Sequence, residues 1–216
     1  MNPPLTHVEL RVLGSLIEKA ATVPDSYPLT LSGLVAACNQ LTNREPVMQL
    51  DEDTVISAIV TLRRRSLVRA IQPAGSRVTK YLHLLDEALD LDARELALLA
   101  VLMLRGPQTS AELHTRTARL ADFESGVSLD QVLEALLARD SGSLVVRLAR
   151  QPGQKEVRYA QLLGGPVTEV AAPAAQERAA PAATAERQAL EARVQTLEQE
   201  IAALRADFAA FKAQFS

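Results

Sequence analysis

The chain has 216 residues, of which 48% are apolar and 23% charged, with a formal charge of −3. That composition supplies a core and excludes a wholly disordered chain, while the acidic balance offers no bulk attraction for a polyanion. The single cysteine, Cys38, excludes an internal disulfide framework and a multi-cysteine zinc site, and no apolar run reaches the roughly 18–20 residues of a membrane span. Met1-Asn2-Pro3-Pro4 has neither the basic nor the apolar region of a signal peptide, so a cytoplasmic protein is expected.

In chain order, the first predicted helix opens at Thr6, with Glu9 three residues on at capping-box spacing. Leu5, Val8, Val12, Leu13, Leu16 and Ile17 are spaced to bury one stripe. A second helix is expected near Thr30 to Asn39. Asn39 or Asn43 is suited to end it in the left-handed conformation, and Arg44 and Glu45 can form a local pair. The loop holding them reads as scaffolding, or else as a recognition surface. Asp51 or Asp53 caps a third helix running to about Arg65. The apolar runs Leu67–Ile71 and Val78–Leu84, split by Pro73-Ala74-Gly75-Ser76, then predict a β-hairpin.

The pattern now repeats. Leu91-Asp92-Ala93-Arg94-Glu95-Leu96 answers Leu5-Thr6-His7-Val8-Glu9-Leu10, so Asp92 and Glu95 occupy the capping positions. A further helix is expected near Ser110 to Leu120, and another from the cap Ser128 to about Arg139. Leu144–Leu148 and Val157–Leu163, around Pro152-Gly153, predict a second hairpin. Three helices and a hairpin in about 80 residues form the winged-helix pattern, a relative of the helix-turn-helix. The expected fold is mainly α with small β-hairpin wings, in two tandem winged-helix domains over residues 1–86 and 87–165. Residues 166–185, with nine Ala and three Pro, read as a linker.

Residues 186–216 carry a heptad seam. Val194, Ile201, Phe208 and Phe215 take the a positions, and Leu190, Leu197, Leu204 and Phe211 the d positions. A parallel pair would set Arg193 against Glu198, Glu200 against Arg205 and Asp207 against Lys212, all attractive; an antiparallel pair would set Glu200 against Asp207. Self-association as a homodimer through this coiled coil is the expectation. The other reading is an amphipathic helix docked on its own domains.

A winged-helix domain presents its third helix to the major groove and its wing to the backbone. The candidate nucleic-acid-binding residues are therefore Arg63, Arg64 and Arg65 at the end of the third helix, with Arg69, Arg77 and Lys80 on the hairpin. The same arginines also complement a helix C-terminus, and Asp51, Glu52 and Asp53 at the other end would be repelled by a groove. The second copy is the poorer reader: its third helix carries Asp130, Glu134 and Asp140, with Arg139 as its only base.

The motifs Ile17-Glu18-Lys19, Tyr27-Pro28-Leu29, Ala37-Cys38-Asn39-Gln40, Asn43-Arg44-Glu45-Pro46-Val47 and Leu104-Arg105-Gly106-Pro107-Gln108-Thr109 together resemble the bacterial YceH-like family, over roughly residues 5–163. The resemblance implies two tandem winged-helix domains and transfers no catalytic residues. His7, His83 and His114 are scattered, with no metal-ligand spacing, and Cys38 reads as a small buried core residue. No enzyme activity and no cofactor are expected. The expectation is a DNA-binding, regulatory protein whose partners are duplex DNA and a second copy of the chain. The alternative is a protein-interaction scaffold with a protein partner; neither reading involves a membrane.

Overall fold

The computed structural model describes residues 3–167, apart from 74, 76, 124–126 and 151–155. The heptad seam from Leu190 to Phe215, and the linker beyond 167, lie outside the described residues. Helix α1 (His7–Thr22) begins as its capping box dictates. The Thr6 hydroxyl accepts from the Glu9 amide at 3.2 Å, and the Glu9 carboxylate accepts from the Thr6 amide at 2.7 Å. Strand β1 (Leu29–Thr30) leads into α2 (Leu31–Cys38), which Thr30 caps. Helix α3 (Glu52–Arg64) is capped by Asp51, whose carboxylate accepts from the Thr54 amide at 2.8 Å. The hairpin strands β2 (Val68–Ile71) and β3 (Lys80–His83) pair antiparallel, and β1 joins the far edge of β3, giving the order β1-β3-β2.

A short helix α4 (Leu85–Leu89) precedes the second passage through the same order. It comprises α5 (Ala93–Arg105), β4 (Gln108–Thr109), α6 (Ser110–Thr117), α7 (Leu129–Leu137), β5 (Val145–Arg147) and β6 (Arg158–Gln161). Its sheet order, β4-β6-β5, matches the first. The registers match as well: Leu29 lies opposite Tyr81 and Gln108 opposite Tyr159. The chain is thus mainly helical with two small antiparallel sheets. The sheets differ from the expected two-stranded hairpins by the edge strands β1 and β4. Each is two residues long, too short to show alternation in the sequence.

The largest departure concerns α1. Its spacing predicts one buried stripe, yet every residue from Glu9 to Glu18 is buried. The reason is α5, which is buried in the same way from Ala97 to Leu104 and lies along the face of α1 that the first half leaves open. Met1–Glu169 is therefore one compact unit, and Leu13, Leu16 and Leu62 share a continuous apolar cluster with Leu98, Leu102 and Leu133. Gly14 permits the approach: a β-carbon there would stand 3.0 Å from Leu104 Cγ and 3.2 Å from Met103 Cβ. Gly14→Val is expected to lower stability by about 1–3 kcal/mol, the cost of overpacking a filled core. Urea denaturation of the two proteins checks it through a lower midpoint.

Candidate nucleic-acid interface

Helix α3 ends because Ser66 takes a left-handed conformation (φ 56°), which closes the last turn and sends the chain back as β2. The Ser66 amide donates to the Arg63 carbonyl at 3.0 Å and the Leu67 amide to the Leu62 carbonyl at 2.9 Å. This reversal sets the end of α3 beside β2. Arg63 and Arg64, both exposed, then share with Arg69 an open concavity of about 790 Å³ that also includes Val60, Ser66 and Glu87. Arg63 and Arg64 have no carboxylate within 4 Å among the described residues. Arg69 meets Glu87 at 3.6 Å, a pair in which both side chains are more than half exposed (55% and 65%) and which therefore contributes little.

The remaining candidates are less tightly grouped. Arg65 turns toward the N-terminal segment and donates to the Pro3 carbonyl at 2.7 Å, so it serves the fold. Arg77 is exposed on the hairpin, and Lys80 begins β3 opposite Ile71, half-buried. The acidic start of α3 stands well apart, since Glu52 and Arg63 are about 17 Å apart along the helix axis. That exceeds the Debye length of about 8–10 Å at ordinary salt. Between these ends the exposed face carries Ile56, Ser57 and Val60. Ser57 donates its hydroxyl to the Asp53 carbonyl at 2.9 Å, and Thr61 donates to the Ser57 carbonyl at 3.2 Å. Both hydroxyl protons are thereby committed to the helix itself.

The corresponding surface of the second half has its cations engaged. Arg139 donates to Glu95 at 3.1 Å and also to the carbonyls of Leu89 and Asp90. Arg147 pairs with Glu134 at 2.6 Å and lies over the Tyr159 ring at 5.7 Å. Arg158 donates to the Pro107 carbonyl at 3.1 Å. The exposed face of α7 then presents Asp130, Gln131 and Glu134.

Two local expectations in the loop after α2 are corrected. Asn39 ends that helix with φ −94°, outside the left-handed region, because its side chain is tied to Leu50: its amide donates to the Leu50 carbonyl at 2.7 Å and its carbonyl accepts from the Leu50 amide at 2.8 Å. The left-handed residue is Asn43 (φ 61°), further into the loop. Arg44 also makes no local pair with Glu45. Its buried guanidinium reaches Glu18 of α1 at 2.6 Å and donates to the Ala37 carbonyl and to Gln40. Arg119 of the second half completes the cluster on the other Glu18 oxygen. Cys38 is fully buried, as expected, and burial pushes its thiol up to about 11. No group of three or more metal-ligating side chains occurs among the described residues, and none of their helices is long and apolar enough to cross a membrane.

Against known proteins, the family described as "Protein of unknown function, DUF480" matches residues 5–154. The chain is 52% identical over 165 residues to a UPF0502 protein of Geotalea daltonii, covering 76% of this chain and 75% of that one. It is 48% identical over 175 residues to a UPF0502 protein of Opitutus terrae, covering 81% and 76%. It is 46% identical over 177 residues to one of Serratia proteamaculans, covering 80% and 83%.

Proposed function

The chain belongs to the DUF480 family, the YceH-like UPF0502 proteins, and from that premise we propose that it is a non-enzymatic, DNA-binding protein of tandem winged-helix type. On this reading α1, α2 and α3 with β1–β3 form one winged helix, α5, α6 and α7 with β4–β6 form the other, and the first alone touches the duplex. The observation that carries it is the convergence of Arg63, Arg64 and Arg69 on one open concavity at the junction of α3 and the wing, two of them without a carboxylate partner among the described residues. Arg77 and Lys80 extend the same charge along the hairpin. The contacts are to phosphate. With the Ser57 and Thr61 protons bonded within the helix, base reading is weak and binding is largely independent of sequence. The C-terminal heptads pair two copies and double the contacts.

The test is fluorescence anisotropy of a labelled mixed-sequence duplex titrated with full-length protein at several salt concentrations. Three to five phosphate contacts per chain predict a fall of log K against log[salt] with a slope of about −3 to −5, and twice that for a dimer. Folded protein that leaves the anisotropy unchanged at low salt removes the reading. A second reading, a protein-interaction scaffold, is favoured by Ile56 and Val60, each 39% exposed and one turn apart on the outer face of α3.

A further inference from the structure

Helices α1 and α5 cross antiparallel: Gly14 lies against Met103 and Leu104, while Ile17 and Ala20 lie with Ala93 and Ala97. Because the two helices are copies in the sequence, their crossing creates two equivalent corners. The alignment that sets Thr6 against Asp92 also sets Leu10 against Leu96, Arg11 against Ala97, Ile17 against Met103 and Ala20 against Gly106. The sheet registers set His83, opposite Val68, against Gln161, opposite Val145. Ile17, Ala20, His83, Leu96 and Ala97 line one corner, and their counterparts Met103, Gly106, Gln161, Leu10 and Arg11 line the other. The corners have diverged. The first encloses about 100 Å³, whereas the second opens to about 370 Å³, at the small end of the range for small-molecule sites.

The chemistry of the larger corner is set by Arg11. Its side chain is 2% exposed, and it has no carboxylate within 4 Å among the described residues. It donates from Nη1 to the Cys38 carbonyl at 2.9 Å and from Nη2 to the Pro46 carbonyl at 2.5 Å, while Nε has no hydrogen-bond partner. Burial and the neighbouring Arg44 cation both disfavour its charge. A buried cation without a counter-charge is costly, and proteins ordinarily pair one. The rest of the wall is mostly apolar, with Leu10, Met48 and Met103, and Glu45 stands at the exposed rim.

We propose that this cavity binds a small organic monoanion, a carboxylate on a compact apolar body, which takes Arg11 as its charge partner and lays its body against Leu10, Met48 and Met103. Glu45 repels a second negative charge, so monoanions are preferred to dianions. The lining comes from both halves, so the ligand would clamp α1 to α5. The inference is independent of the nucleic-acid reading, and its test contains no DNA.

The full-length protein is titrated calorimetrically with benzoate, cyclohexanecarboxylate and hexanoate, with benzyl alcohol as the neutral counterpart and inorganic phosphate as an anion without an apolar body. At least one carboxylate is expected to saturate at one per chain, at least tenfold more tightly than benzyl alcohol, with no saturation by phosphate. Arg11→Met is expected to weaken it at least tenfold. Should that variant fail to fold, Met48→Trp decides, because it fills the cavity and leaves the Arg11 hydrogen bonds in place; it is expected to abolish binding. No saturable binding of any of the three, equal affinity for benzyl alcohol or phosphate, or unchanged binding in Met48→Trp overturns the proposal.

Discussion

Glu18→Ala is expected to cost about 3–5 kcal/mol of folding stability, because it strands a buried cation. The Glu18 carboxylate is enclosed between α1, the loop after α2 and the second half, and it bonds Arg44 at 2.6 Å and Arg119 on its other oxygen. The Arg44 side chain is wholly inaccessible to solvent, so without Glu18 it retains only neutral partners: the carbonyls of Ala37 and Asn43 and the Gln40 side chain. Against a typical domain stability of about 5–15 kcal/mol, such a loss leaves little margin. Arg69→Ala is the contrasting case. Its partner Glu87 lies at 3.6 Å on the surface, and the expected change is below about 1 kcal/mol. Urea denaturation followed by circular dichroism compares the two; equal midpoints would show that the buried cluster adds nothing.

The same cluster predicts a pH dependence. Burial alone would raise the Glu18 carboxyl, but the hydrogen bond and charge of Arg44, with the charges of Arg119 and Lys19, outweigh it and hold it below the ordinary value of 4.5. A carboxyl lowered on folding adds stability that is complete above its unfolded value and disappears as pH falls through its folded value. The deficit of Glu18→Gln relative to the natural protein is therefore constant near neutrality and shrinks below pH 4.5.

The sequence disclosed the helix starts and concealed what covers the helices. Caps are local: Thr6 with Glu9, Asp92 with Glu95, and Asp51 and Ser128 are each settled within four residues, and all four cap as expected. The order of the elements also followed from periodicity, because one apolar face of each helix packs within its own half. What periodicity cannot show is the second face of α1, because the contact comes from α5 far along the chain. Glu18 meets Arg44 across 26 residues and Arg119 across 101, and nothing in its local spacing distinguishes it from a solvated glutamate. Arg11 was hidden for the same reason: a basic residue between apolar neighbours reads as surface until a second helix closes over it. Of the candidate interface, the clustering of Arg63 and Arg64 was legible as a run, and Arg69 joins them through the reversal at Ser66. The bond from Arg65 to Pro3 depends on where the N-terminal segment lies, across 62 residues.

The double reversal Arg63→Glu with Arg64→Glu is the prediction on which the functional reading turns. If both side chains contact phosphate, losing two contacts reduces the salt slope by about 2 and the affinity by roughly 60-fold at 0.1 M salt, from about 0.9 decades per contact per decade of salt. The loss is expected to be equal on unrelated duplexes, because the two contacts position the helix and read no base. Arg147→Ala, in the second half, is expected to change neither quantity, since that side chain is already engaged by Glu134 and lies over the Tyr159 ring. The competing role of Arg63 and Arg64, as cations that complement the end of α3, predicts a different pattern. It gives a stability loss of about 0.3–1 kcal/mol per residue with an unchanged salt slope, because the dipole acts only within the last turn. Circular dichroism and anisotropy on the same samples separate the two roles. A folded double variant that binds duplex as the natural protein does would move any contact away from this end of α3, leaving Ile56 and Val60 as a surface for a protein partner.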